Sequence, residues 1–227
     1  GSYWCQYGPV PQGYGVILPQ GLWEDLVEDA QRFYASGDWY FERGVPHRRG
    51  YLLYGLPGTG KTSLVRALAA DLKRNLYIAK SSVVRSGFQD ALRAVVPGSI
   101  VLIEDVDCVT QPVMNVDVPR PSAPTSGSNG TSPAEPERSL SIGEMLNALD
   151  GILPLNQILV IMITNYIEKL DPALIRPGRV DRKIKLDICT PYQIQKMFTK
   201  FFPEAVLEEK DLAGLRLTPA ELQELLI

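Results

Sequence analysis

Apolar positions along the chain follow two periods. Leu22, Trp23, Leu26, Val27, Ala30, Phe33 and Tyr34 recur at helical spacing with acids between them, which predicts an amphipathic helix ending near Ser36-Gly37. Shorter apolar runs have strand length: "YLLYG" (51–55), "LYIA" (76–79), "SIVLIED" (99–105), "ILVIMIT" (158–164) and "KIKLDI" (183–188). A helical stretch from Lys61 to about Asp71 follows the first run, and helical patterns separate most of the others. This alternation predicts an α/β domain with a mostly parallel sheet flanked by helices.

Three segments fall outside the rhythm. Residues 1–20, rich in Gly, Pro and aromatics, read as an irregular lead-in, and residues 21–189 as the large α/β unit. Within that unit, 110–138 is dominated by Pro, Ser, Gly and Thr and reads as a disordered surface insertion. Loop closure costs only about 0.6 kcal/mol per doubling of length, so the fold can carry it. Residues 190–227 read as the start of a small helical appendage. Its last helix opens on the capping box Thr218-Pro219-Ala220-Glu221 and runs to Ile227 without a stop signal, so a truncated appendage is expected.

Composition narrows the class. A net charge of −3 argues against broad contact with nucleic-acid backbones, although a local basic patch such as "RRG" (48–50) stays open. Cys5, Cys108 and Cys189 are odd in number and lack CxxC spacing, which favours free thiols. No apolar run approaches the roughly 18 residues needed to cross a bilayer. His47, the only histidine, reads as a surface or linker residue rather than a catalytic one.

"GLPGTGKT" (55–62) matches G-x-x-x-x-G-K-[ST], after an apolar strand and before a helix, the context a P-loop requires. Gly58 and Gly60 would let the backbone curl so that the loop's N–H groups point at phosphate oxygens; Gly55, Pro57 and Thr59 belong to the same cradle, and Ser63 lies in the first turn of the helix. That helix start adds positive potential. Lys61 would reach the β- and γ-phosphates of a bound nucleotide, and the Thr62 hydroxyl would ligate Mg²⁺. At the end of "SIVLIEDVD", consecutive strand residues face opposite ways, so Glu104 and Asp105 cannot share a task. Glu104 should approach Thr62 and the metal, and Asp105 should face the attacking water as general base. The competing reading is that Asp105 and Asp107 merely cap or solvate the strand end. Asn165, after "ILVIMIT", is placed to hydrogen-bond the γ-phosphate or the water, a weak signal alone because strands often end in Asn. In "LDPALIRPGRVD" (170–181), Asp171-Pro172 would start a short helix that Pro177-Gly178 stops. Arg176 and Arg179 at its end fit either of two roles: fingers entering a neighbouring subunit's site, or cations complementing a helix C-terminus.

Taken in order, "GLPGTGKT", "IEDVD" (103–107), "MLNALDGI" (145–152) and "ITNYIEKLDPALIRPGRVD" (163–181) resemble the AAA family of ring ATPases. With "WYFERGVPHRRGYLLYGLPGTGKTSL" (39–64) and "TPYQIQKMFTKFFP" (190–203), the chain is similar to the mitochondrial AAA ATPases of the Bcs type or a fungal paralogue. Those proteins translocate the folded Rieske iron–sulfur protein across the inner membrane during assembly of respiratory complex III, and they share the Glu-Asp order. The resemblance implies Mg-ATP hydrolysis in a homo-oligomeric ring, roughly six or seven subunits. It also implies a folded protein substrate, no nucleic acid, and a membrane anchor lying in an N-terminal segment absent from this sequence. The expected location is the mitochondrial inner membrane, with the cytoplasm as alternative. "KSSVVRSGF" (80–88) has Val83, Val84 and Arg85 where unfoldases of the family place a gripping aromatic, and Phe88 reads as a core residue. A rival function from another class is a nucleotide-dependent scaffold or signalling switch in which turnover is incidental.

Overall fold

A computed structural model describes residues 5–7, 15–80, 88–109, 142–150, 157–205, 207 and 214–227. The insertion 110–138 and the gripping-loop positions Val83–Arg85 lie outside the described residues. Six strands form one sheet: β1 (Cys5–Tyr7), β2 (Arg48–Tyr54), β3 (Leu76–Lys80), β4 (Ile100–Glu104), β5 (Ile158–Thr164) and β6 (Arg182–Lys185). Their order is β1-β3-β4-β5-β2-β6. The five strands β2 to β6 are parallel, and β1 pairs antiparallel with β3, Gln6 opposite Tyr77. The lead-in therefore contains a strand, which its Gly- and Pro-rich composition concealed.

Seven helices are described: α1 (Leu22–Ala35), α2 (Gly37–Glu42), α3 (Lys61–Asp71), α4 (Phe88–Arg93), α5 (Ile142–Asp150), α6 (Pro191–Phe201) and α7 (Pro219–Leu226). The sheet is buried on both sides, as parallel sheets covered by helices are. Strand alternation divides its side chains cleanly. Leu52, Val101, Ile103, Val160 and Met162 face one layer with Phe88 and Leu92 of α4 and Met145 and Leu149 of α5. Tyr51, Leu53, Leu102, Leu159 and Ile161 face the other, with Leu26, Ala30 and Phe33 of α1 and Leu64, Val65 and Leu68 of α3. A separate cluster of Cys189, Ile194, Met197 and Leu222 joins α6 to α7.

Three expectations need correction. The segment 171–180 forms a succession of turns and not a helix. Asp171 Oδ1 accepts from Ala173 N at 2.7 Å, an Asx-type turn, and too few residues separate Asp171 from Pro177 to repay helix nucleation. His47 is buried, its Nε2 2.7 Å from Phe33 O and its ring stacked on Tyr40. The basic patch at 48–50 is neutralised by acids. Arg49 donates to both Asp29 oxygens at 3.1 and 2.7 Å, and Arg48 lies 3.8 Å from Asp150. Burial, followed by the Asp29 carboxylate, pushes the Tyr51 phenol well above its ordinary pKa, so it stays neutral and donates to Asp29.

Candidate active site

Strand order brings the predicted residues to one end of the sheet. β5 lies between β2 and β4, and its register sets Thr164 beside Tyr54 and Met162 beside Ile103. The ends of three neighbouring strands thus carry the glycine loop, Asn165, and Glu104-Asp105. In open α/β sheets ligands bind at this carboxyl end.

The loop 55–60 is a run of turns whose glycines Gly55, Gly58 and Gly60 have φ of 129°, 76° and 85°. Gly60 is the N-cap of α3 and offers no side-chain cap. By contrast α6 and α7 each begin with a complete Thr capping box. The first amides of α3 therefore point into the loop without a side-chain acceptor, a start suited to an anion. Space beside Gly60 is open, with nothing within 4 Å of a notional Cβ. Pro57 and Gly58 are exposed, Thr59 is buried with its hydroxyl donating to Leu56 O at 2.9 Å, and Ser63 is half-buried. Lys61 is buried and curls back onto its own loop, donating to Gly55 O at 2.8 Å and Leu56 O at 2.7 Å. Burial holds its pKa below the ordinary lysine value, partly opposed by Asp105.

Thr62 Oγ1 donates to Glu104 Oε1 at 2.9 Å. Two oxygen donors of this kind, one anionic, suit a hard cation such as Mg²⁺. Asp105 is exposed and its backbone is left-handed, φ 53°, which Asp tolerates better than most residues. The following Val106–Val109 form a 3₁₀ turn, closed by Cys108 N donating to Asp105 O at 3.0 Å. Half-buried Asn165 follows Thr164, which is fully buried.

The two arginines part company. Arg176 is exposed, and among the described residues its side chain makes no hydrogen bond or ion pair. Arg179 Nε donates to both Asp150 oxygens at 2.9 and 3.1 Å, and its guanidinium also donates to Ala173 O. That pairing holds the Asp150 carboxyl below the usual carboxylate range. Among the described residues neither arginine bonds to the glycine loop. The loop that carries them is braced from β2: Gly50 N donates to Asp181 Oδ2 and Asp181 N to Gly50 O, both at 2.8 Å. A Cβ at Gly50 would stand 1.8 Å from Arg179 O, so only glycine permits that approach.

Contacts that the sequence did not announce complete the surroundings. Ala220 N, in the first turn of α7, donates to Gly58 O at 3.1 Å, so the appendage rests on the glycine loop. Gln193 Nε2 of α6 donates to Ile17 O at 2.9 Å. A cleft of about 340 Å³ runs between residues 16–21 and the Tyr192, Lys196 and Lys200 side of α6. Asp107 Oδ1 accepts from Thr164 Oγ1 at 2.7 Å. The sequence marks Asp107 only as an acid that could cap or solvate the strand end, because its partner lies 57 residues away and no local pattern names it.

An uncapped helix start behind a glycine loop, met by a carboxylate from a strand two places along the same sheet, defines a P-loop nucleoside triphosphatase. Among such proteins this chain belongs to the AAA family: the model described as "ATPase family associated with various cellular activities (AAA)" matches residues 51–188. Its chemistry is that of an ATP hydrolase. The chain is similar to the probable mitochondrial chaperone BCS1-B of Dictyostelium discoideum, 39% identical over 228 residues, covering 92% of this chain and 50% of that protein. It is also similar to the mitochondrial chaperone BCS1 of Homo sapiens, 37% over 226 residues, 92% of this chain and 49% of that one. A third relative is the probable mitochondrial chaperone bcs1 of Schizosaccharomyces pombe, 37% over 203 residues, 88% and 42%. The chain spans about half the length of the relatives it matches. Among the described residues no helix is long and apolar enough to cross a membrane.

Proposed function

We propose that this chain is the ATP-hydrolysing module of a ring-forming chaperone in which each active site is finished by the next subunit. In this reading the uncapped start of α3, Lys61 and the loop amides hold the phosphates. Lys61 exchanges Gly55 O and Leu56 O for phosphate oxygens. The cleft between residues 16–21 and α6 takes the base and ribose, since α7 links α6 to the glycine loop. Mg²⁺, held by Thr62 and Glu104, supplies neutralisation of phosphate charge. Asp105 accepts the proton of the water attacking the γ-phosphorus as the bond to the ADP oxygen breaks, and Asn165 orients that water. A base of this kind is typically worth about 10²–10⁴-fold in rate.

The observation that carries the reading is Arg176. It stands exposed on a braced loop while the phosphate cradle is assembled without it. A guanidinium presented in this way suits the transferring phosphoryl group of a neighbour, and Arg179 is the second cation of that loop. The relatives' names support a chaperone role in the mitochondrion, and a folded protein is the proposed substrate. In the full-length assembled protein, Arg176→Ala should leave ATP affinity within about twofold and lower turnover by roughly 10³–10⁵. Unchanged turnover in an intact assembly would remove the finger role. Asp105→Asn, measured for both turnover and chaperone function, decides against the scaffold alternative if function is lost while assembly and nucleotide binding survive.

A further inference from the structure

We infer that Asp107 is a positioning residue that ties the turn bearing Asp105 to the strand end bearing Asn165. The inference rests on the hydrolytic reading of those two side chains. Thr164 sits at the end of β5 with 0% exposure, and its hydroxyl serves two partners. It donates to Asp107 Oδ1 at 2.7 Å and accepts from Tyr166 N at 2.9 Å. The direction is fixed by chemistry: a backbone N–H can only donate, and an ionised carboxylate can only accept, so the single hydroxyl proton goes to Asp107. The acceptor's charge strengthens that bond relative to a neutral one.

The peptide group after Asn165 is thereby clamped through the Tyr166 N–H, and the residue before it, Thr164, is held by its own side chain. At the other end, Asp107 belongs to the 3₁₀ turn that starts from Asp105. That turn is anchored by Val106, 0% exposed in the core, and closed by the Cys108 N to Asp105 O bond. Asp105 itself holds a left-handed backbone, φ 53°, which persists only where neighbouring contacts impose it. One carboxylate thus joins the two loops that present the base and the water-orienting amide. Their separation is set by a part-buried hydrogen bond from the fully buried Thr164 and not by the loops' own stiffness. Positioning of this order matters because displacement of about 1 Å can cost a hundredfold in rate.

The test uses the full-length assembled protein, with kcat, KM for ATP, ADP affinity and melting temperature measured for Asp107→Ala, Asp107→Asn, Thr164→Val and the Asp107→Ala/Thr164→Val pair. Asp107→Ala and Thr164→Val should each lower kcat about tenfold or more while KM and ADP affinity stay within about twofold. Asp107→Asn, whose side-chain oxygen still accepts from Thr164, should recover most of the lost rate. The double variant should be no slower than the slower single one, because both remove the same bond. Additive losses overturn the inference, as does a kcat for Asp107→Ala within about twofold of wild type. So does a fall in melting temperature and affinity with kcat unmoved. Asp105→Asn and Asn165→Ala run alongside. If both hydrolyse ATP normally, the hydrolytic reading itself fails; if both are inactive and Asp107→Ala is not, only the positioning role fails.

Discussion

Lys61 and Arg176 are both cations placed for phosphate in the proposed mechanism, and their surroundings are opposite. Lys61 is 6% exposed and enclosed by the carbonyls of its own loop. Arg176 stands in solvent, while three residues on, Arg179 is tied back to Asp150. A buried cation needs acceptors within its own chain, because an unpaired charge out of water is costly. An exposed one can wait for acceptors that another molecule brings. In the proposed mechanism the cradle is therefore a property of the single chain, and the finger loop would become useful only through a neighbour.

The largest effect expected from breaking this contrast lies on the buried side. Lys61→Ala should weaken ATP binding by about 2–3 kcal/mol, roughly a hundredfold, through loss of charged hydrogen bonds, and should abolish measurable turnover. Titration with a fluorescent nucleotide reads the first and phosphate release the second. A sharper experiment mixes subunits. Lys61→Ala subunits keep an intact finger, and Arg176→Ala subunits keep an intact cradle. Co-assembled, they should hydrolyse ATP well above either parent alone; no recovery would mean that both cations act within one chain. A smaller effect is expected at Arg179. Asp150→Ala removes the Arg179 guanidinium's ionic partner and leaves it the Ala173 carbonyl, and because Asp150 is 44% exposed the pair contributes only about 0.2–1 kcal/mol of stability, read as a slightly lower melting temperature. The pair also sets a sign for pH. Asp150 titrates below the usual carboxylate range when folded, so its contribution is complete above that range and is lost as pH falls through the depressed value.

How far the sequence could be read depended on the range of the interaction involved. Alternation and helical spacing are local, and they located the five parallel strands, α1 and α3 to within a few residues. Strand alternation likewise distinguished Glu104, which meets Thr62, from Asp105, which does not. The box at Thr218 marked the start of α7, because capping is decided by four consecutive residues. Long-range pairings were invisible. β1 is a strand only because β3 offers it partners, and its composition argues for a loop. His47 looks polar in sequence but is enclosed by Phe33 and Tyr40. α2 was missed because Gly37 follows a convincing helix stop and the short helix buries no residue of its own. Asp107 and Asp150 acquire meaning only from Thr164 and Arg179, which no window around either acid contains.

The two borders of the sheet carry a last consequence. A bare strand at the margin of a sheet is a template onto which another polypeptide can zip, the route to aggregates. Here both margins are short, the three-residue β1 and the four-residue β6, and β6 places exposed Lys183 on its border while Arg182 and Lys185 are paired with Asp25 and Asp187. Copies of this molecule crowded at high local concentration are thus steered away from backbone-to-backbone polymerisation.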